Sequence, residues 1–292
     1  MSKKKISLSI LVSIIIIVIF IAIISNTTLV AHQYSLDYKN LPDSFDGFKI
    51  VLLSDLHSKQ FGKGNKNLIE TIDRQSPDII VMTGDMINST DKDYSAFISL
   101  AEKIAKKYSV YYVVGNHEQS ISEYDLELLY DELKNSGVIV LDNEKASVEK
   151  NNESINIYGM WFNLRYYSNQ SNEYVKNNAE KYSLTTDKIR AILGDCNKDK
   201  LNILLTHNPI YFDYYCEWGA DLTLSGHMHG GLIRLPFVDG IYSPERVFFP
   251  KYDAGLFSSG DRKMIVSRGL GNSMGFRFLN CPELVVITLN KK

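Results

Sequence analysis

The chain has 292 residues, of which 45% are apolar, 11% aromatic and 23% charged, a balance that supports a large core and excludes a disordered tail, a collagen-like repeat or a disulfide mini-scaffold. Thirty-two Lys and Arg stand against 34 Asp and Glu, and a formal net charge of −2 provides no basic field for a nucleic-acid backbone. Cys196, Cys216 and Cys281 are an odd number at wide spacings, matching neither a disulfide framework nor a thiolate zinc site.

Residues 1–5 form a basic tail, with Lys3, Lys4 and Lys5 ahead of Ile6 to Ile24, a 19-residue run broken only by Ser7, Ser9 and Ser13. As a helix this run spans ~28 Å, close to the hydrocarbon thickness of a bilayer. It has no polar face to show to water, so a transmembrane anchor is expected, with a cleaved signal peptide as the alternative. The lysine bias keeps the amino terminus in the cytoplasm and sends the rest outward. Residues 25–45 then read as a tether and 46–292 as one large domain, since no repeat or Pro-rich linker divides it.

Short apolar runs alternate with stretches of helical period, the pattern of a layered α/β domain. The pattern predicts strands at Phe48 to Leu53, Asp78 to Thr83, Val110 to Val114, Leu201 to Thr206, Asp221 to Ser225, Lys263 to Ser267 and Glu283 to Leu289. Helices are predicted at Asn67 to Arg74, Tyr94 to Lys107, Tyr124 to Asn135 and Thr185 to Leu193, and Trp161 to Ser183 reads as a long surface excursion. Between Phe237 and Phe257 lies an aromatic-rich stretch that reads as a satellite core, with contact to acyl chains or a membrane surface as the alternative.

The first five strands of the domain each run into metal-binding residue types: Asp55 and His57, Gly84-Asp85, Gly115-Asn116-His117-Glu118, His207, and Gly226-His227-Met228-His229. Five of the six histidines lie in these motifs, leaving only His32 beside the apolar run. Taken singly, each motif is explained by a capped or tight turn. Together, at the carboxyl ends of sheet strands, they converge on one rim, where open α/β sheets place their sites. Carboxylate, amide and imidazole donors without thiolate suit Mn, Fe, Co or Zn. The Gly269, Gly271 and Gly275 spacing misses the dinucleotide fingerprint, and no Walker lysine is present.

This ordered set resembles the calcineurin-like metallophosphoesterase signature from about Phe48 onward. Segments 230–236, 266–271 and 277–283 are similar to its bacterial membrane-associated YkuE/YaeI-type branch. The resemblance implies a four-layer α/β/β/α sandwich of two central sheets flanked by helices, with two divalent metal ions, Mn or Fe by family custom. It implies Asp55, His57, Asp85 and His229 around one metal and Asp85, Asn116, His207 and His227 around the other, with Asp85 as the bridge. A metal-bridging hydroxide would attack a P–O ester or pyrophosphate bond. His117 belongs to neither ligand set and is the general-acid candidate, with an orienting hydrogen bond as the alternative. Glu118 receives no chemistry. Arg234, Arg268 and Arg277 lie in the branch-like segments and are candidate phosphate contacts, or else form salt bridges. The expected activity is that of a membrane-anchored phosphodiesterase, with a lipid-linked phosphoester among the candidate substrates. A phosphomonoesterase or phosphoprotein phosphatase, and a non-catalytic wall- or lipid-binding module, are the rivals.

Overall fold

The computed structural model describes residues 3–162, 183–231, 233–235, 237–272 and 277–292. Nearly all of the surface excursion expected at Trp161 to Ser183, residues 163–182, lies outside them. The apolar run forms helix α1, Lys3–Thr27. Only 6% of its 18-residue hydrophobic window, Ile10–Thr27, is buried, so α1 is not a core helix.

The domain then runs β1 (Val30–Tyr38), β2 (Phe48–Leu53), α2 (Lys66–Gln75), β3 (Ile79–Met82), α3 (Ser95–Ala105), β4 (Ser109–Tyr112), α4 (Glu123–Asn135) and β5 (Val138–Val140). Its second half holds β6 (Lys145–Lys150), β7 (Glu153–Met160), α5 (Thr186–Leu193), β8 (Asn202–Thr206), α6 (Phe212–Trp218) and β9 (Leu222–Ser225). Two short strands, β10 (Arg234–Leu235) and β11 (Asp239–Gly240), precede β12 (Gly255–Ser259), β13 (Arg262–Val266) and β14 (Glu283–Lys291). Strands β1-β14-β2-β3-β4-β5 make one six-stranded sheet and β12-β13-β9-β8-β7-β6 the other. β2 to β5 are mutually parallel, as are β7, β8, β9 and β13, so the carboxyl ends within each group share an edge.

The two-residue period of the strands sorts their side chains into layers. In β2, Val51 and Leu53 pack with Leu68 and Ile72 of α2 and Phe97 of α3. Ile50 and Leu52, between them, face the other way and meet Ile203, Leu205 and Leu224 of the second sheet. Across that sheet, Leu204 packs with Ile189 of α5 and with Tyr215 and Trp218 of α6. The order is helix, sheet, sheet, helix, and the four-layer sandwich expected from the sequence is present.

One expectation is corrected. Much of residues 25–45 is folded, because β1 pairs in parallel with β14 over nine residues, from Val30 opposite Glu283 to Tyr38 opposite Lys291. Its inward side chains Leu36 and Tyr38 join the core between the sheets. β1 was missed because Gln33, Ser35 and Asp37 alternate with apolar residues on an edge strand, which reads as polar coil when its partner lies 250 residues away.

Ile203 is fully buried between the sheets, where truncation leaves a cavity that the flanking strands cannot close. Ile203→Ala is expected to cost about 2–5 kcal/mol of unfolding free energy by denaturant titration. Tyr124→Ala on the exposed face of α4 is expected to stay within about 0.5 kcal/mol.

Candidate metal centre

The loops leaving β2, β3, β4, β8 and β9 meet at one rim, where they hold one another through the backbone. Asp55 N–H donates to the Gly84 carbonyl and His57 N–H to the Asp85 carbonyl, both at 3.0 Å. Gly226 N–H donates to the His207 carbonyl at 3.1 Å, and His227 N–H reaches the Asp55 carboxylate at 3.0 Å, linking the two sheets. The turns are so tight that Asp55, His57, Asp85, His227 and His229 all adopt positive φ, between 48° and 68°. A non-glycine residue in this region costs on the order of 1 kcal/mol or more, and such residues cluster at functional sites. Gly226 is required by close approach: a Cβ there would collide with the Ser54 hydroxyl and the Asp55 carboxylate.

Asp85 Oδ2 lies 3.1 Å from His207 Nε2, 3.9 Å from His57 Nε2 and 4.0 Å from His117 Nε2. Asp55 Oδ1 lies 3.5 Å from His229 Nε2 and 3.8 Å from His207 Nε2. Among the described residues, three groups each bring donor atoms within 4.8 Å of one another: Asp55, His57 and His229; Asp85, His207 and His227; and His57, Asp85 and His117. The first two gather residues named in the sequence analysis as candidate ligands, and the third places His117 within the same distance. Asn116 contributes a buried Oδ1 with no hydrogen-bond partner among the described residues.

The donor chemistry fits divalent cations. His207 Nδ1 is 2.6 Å from the Thr83 carbonyl and can only donate to it, so in the neutral ring the lone pair lies on Nε2, the atom facing Asp85. His57 Nδ1 donates to Asn88 Oδ1 at 3.0 Å, and His227 Nε2 to the Glu245 carboxylate at 2.6 Å. An imidazole whose outer nitrogen is tied to a fixed oxygen presents its inner nitrogen as a metal donor. His57 Nε2 and His229 Nε2 are 3.2 Å apart, about the span of two nitrogens bound to one ion at ~2.1 Å each. Asn88 and Glu245 carried no signal in the sequence, Glu245 because it lies 18 residues beyond the ring it orients.

Burial pushes His57 below the ordinary histidine range despite Asp85 and Asp55 nearby, and pushes His229 well below it. At His207 burial works in the same direction, but the Asp85 carboxylate overrides it and raises the group to about 10. Asp85 is correspondingly held well below the usual carboxylate range: burial opposes ionisation, and the His207 charge wins.

His117 stands at the edge of the group. Its Nδ1 accepts the Ser89 N–H at 3.0 Å, which fixes the tautomer with the proton on Nε2, the atom nearest Asp85. Glu118 has a structural part that sequence reasoning missed. It is fully buried and accepts the N–H groups of Asp85, Met86 and Gly115 at 2.7–2.9 Å, clamping the β3 and β4 loops together.

Two of the three arginines are committed elsewhere. Arg277 is fully buried and donates to the carbonyls of Arg268, Gly269 and Gly271. Arg234 pairs with Asp253 at 2.6 Å and Asp239 at 2.9 Å. Arg268 keeps a buried Nε without a hydrogen-bond partner among the described residues and runs beside Gly230 at the rim.

A family model for calcineurin-like phosphoesterases matches residues 48–231. The metallophosphoesterase YkuE of Bacillus subtilis is 29% identical over 88% of this chain and 84% of its own length. Phosphodiesterase YaeI of Escherichia coli is 27% identical over 85% and 84%, respectively. A zebrafish transmembrane protein with a metallophosphoesterase domain is 26% identical over 87% of this chain and 55% of its own.

In the metal-stripped chain His207 carries a proton at neutral pH that a bound cation must displace. Its pKa in the fold exceeds the ordinary histidine value, so cation affinity is expected to rise with pH up to about 10, about tenfold per unit for one displaced proton. Calorimetry of Mn binding in buffers of differing ionisation enthalpy reads that proton directly; pH-independent uptake without proton release would contradict it. Glu245→Ala is expected to weaken Mn binding by about 10–100-fold by freeing the His227 ring.

Proposed function

The chain belongs to the calcineurin-like phosphoesterase family, is a phosphoester hydrolase with a divalent metal site, and from that premise we propose a membrane-anchored, two-metal phosphodiesterase. The observation that carries the metal reading is the set of outer-nitrogen hydrogen bonds at His57, His207 and His227, which aim three imidazoles at the two buried carboxylates. Asp55, His57, Asp85 and His229 would hold one cation, and Asp85, Asn116, His207 and His227 the other, with Mn or Fe favoured. When bound, the pair supplies charge neutralisation at the phosphoryl oxygens and a nucleophile at neutral pH. His117 directs its Nε2 proton at the departing oxygen, and Arg268 contacts the phosphate. Preference for diesters is supported by the Gly226-His227-Met228-His229 arrangement and by the similarity to a protein named as a phosphodiesterase.

The anchor reading rests on α1, whose window Ile10–Thr27 has a mean hydropathy of 2.9 and is almost wholly exposed. With three lysines in the first turn of α1, the domain lies outside the cell membrane. α1 ends beside the rim: Ser25 Oγ accepts the Leu279 N–H, and Asn280, next in the chain, donates to the His229 carbonyl. That proximity favours a phosphoester presented at the lipid surface.

The test uses the full chain in detergent, metal-stripped and refilled with Mn, acting on bis-p-nitrophenyl phosphate. Turnover should return with about two Mn per chain and exceed that on p-nitrophenyl phosphate. Asp85→Asn should abolish it, and His117→Ala should keep both ions while losing about 10²–10⁴-fold in rate. Two bound ions with no turnover on either ester would overturn the reading in favour of a binding module.

A further inference from the structure

The aromatic stretch after the last histidine pair divides into two populations. Tyr252 is buried with Phe212, Met228, Met264 and Val266, as a satellite core requires. Phe237 is fully exposed, and Phe248 and Phe249 are 66% and 62% exposed, with Val238 and Val247 exposed beside them. Single exposed apolar residues are ordinary on a soluble surface; three phenylalanines and two valines exposed on one segment, residues 237–249, ask for a covering phase.

The patch is continuous with the point where α1 leaves the domain. Asn26 holds the Arg277 backbone from both sides, accepting its N–H at 3.0 Å and donating to its carbonyl at 2.8 Å. Next to Arg277, the Phe278 carbonyl accepts the Arg234 N–H at 3.1 Å, and β10 pairs with β11 directly after. Beyond β11, Phe249 N–H donates to the Ile241 carbonyl at 2.9 Å, so one hydrogen-bonded ribbon leads from the helix end to the exposed rings. Arg246, exposed among them, adds the cation that lipid phosphates attract, a combination found where proteins lie in the interface plane.

We infer that residues 237–249 form a docking face for the lipid bilayer that α1 enters, seating Phe237, Phe248 and Phe249 at the boundary between headgroups and acyl chains. The inference rests on the anchor reading of α1 and adds a second attachment, on the segment that also carries Glu245 and so supports His227. The anchor and this face together hold the rim at a fixed height above the hydrocarbon.

The test reconstitutes the full chain carrying Phe237→Trp into phosphatidylglycerol and phosphatidylcholine vesicles with and without dibrominated acyl chains. The unsubstituted chain supplies the background from Trp161 and Trp218. The added emission should lie to the blue of aqueous tryptophan and lose at least half its intensity to the bromolipid. Unquenched emission from a chain that resists alkaline carbonate extraction would overturn the docking face and leave the anchor standing. Blue-shifted but unquenched emission would also overturn it, assigning the patch to a protein partner. Release of the chain by carbonate would overturn the anchor, and the inference with it. Phe248→Trp gives an independent reading should the first variant fail to fold.

Discussion

Burying Asp55 and Asp85 at one sheet edge is the constraint around which the rest of this molecule is arranged. Two carboxylates without water are costly unless every lone pair finds a donor or a cation. The backbone supplies part of that: His227 N–H on Asp55 and His117 N–H on Asp85. The His207 ring, protonated at neutral pH, supplies more by facing Asp85 at 3.1 Å, and a bound cation takes over that part when it displaces the proton. The same constraint explains the left-handed backbone at five of the site residues, since only sharply reversed loops let two sheets deliver side chains to one point.

What holds those loops is mostly not chemistry at the site. Glu118 spends a buried carboxylate on three backbone N–H groups, and Arg277 spends a buried guanidinium on three backbone carbonyls. One clamps the loops after β3 and β4, the other the turn before β14. Each replaces water that the packed rim has no room for, so charged side chains here do the work that secondary structure does elsewhere. An arginine in a glycine-rich turn therefore need not face a substrate.

Legibility in the sequence followed burial only where the apolar run was unbroken: β7, buried from Ile155 to Met160, escaped because Asn156 and Gly159 interrupt it. Strand β2 was read with its true ends, and β3, β8 and β9 within a residue, because central strands buried on both faces are continuous apolar runs. β5 is three residues long and β6 is exposed along one face, and both escaped. At the site, the ligand types were legible because chemistry restricts them. The residues that orient them, Asn88, Glu245 and the Thr83 carbonyl, were not, because any oxygen at the right place serves and the place is set by packing. The exposed rings at 237–249 were read as a satellite core because composition does not reveal which side of an aromatic faces outward.

The pairing of β1 with β14 has a mechanical consequence. α1 runs into β1 after two residues, so a pull on α1 that exceeds its contacts from Ser25 and Asn26 to residues 277–279 acts along the strand and loads its hydrogen bonds to β14 in shear, together instead of one after another. With α1 set in a bilayer, as proposed above, thermal tugging on the helix would be spread over nine residue pairs before it reaches the interior. Cutting the chain beyond Val30 would strip that load-bearing edge, whereas cutting between Thr27 and Val30 would leave the sheet whole.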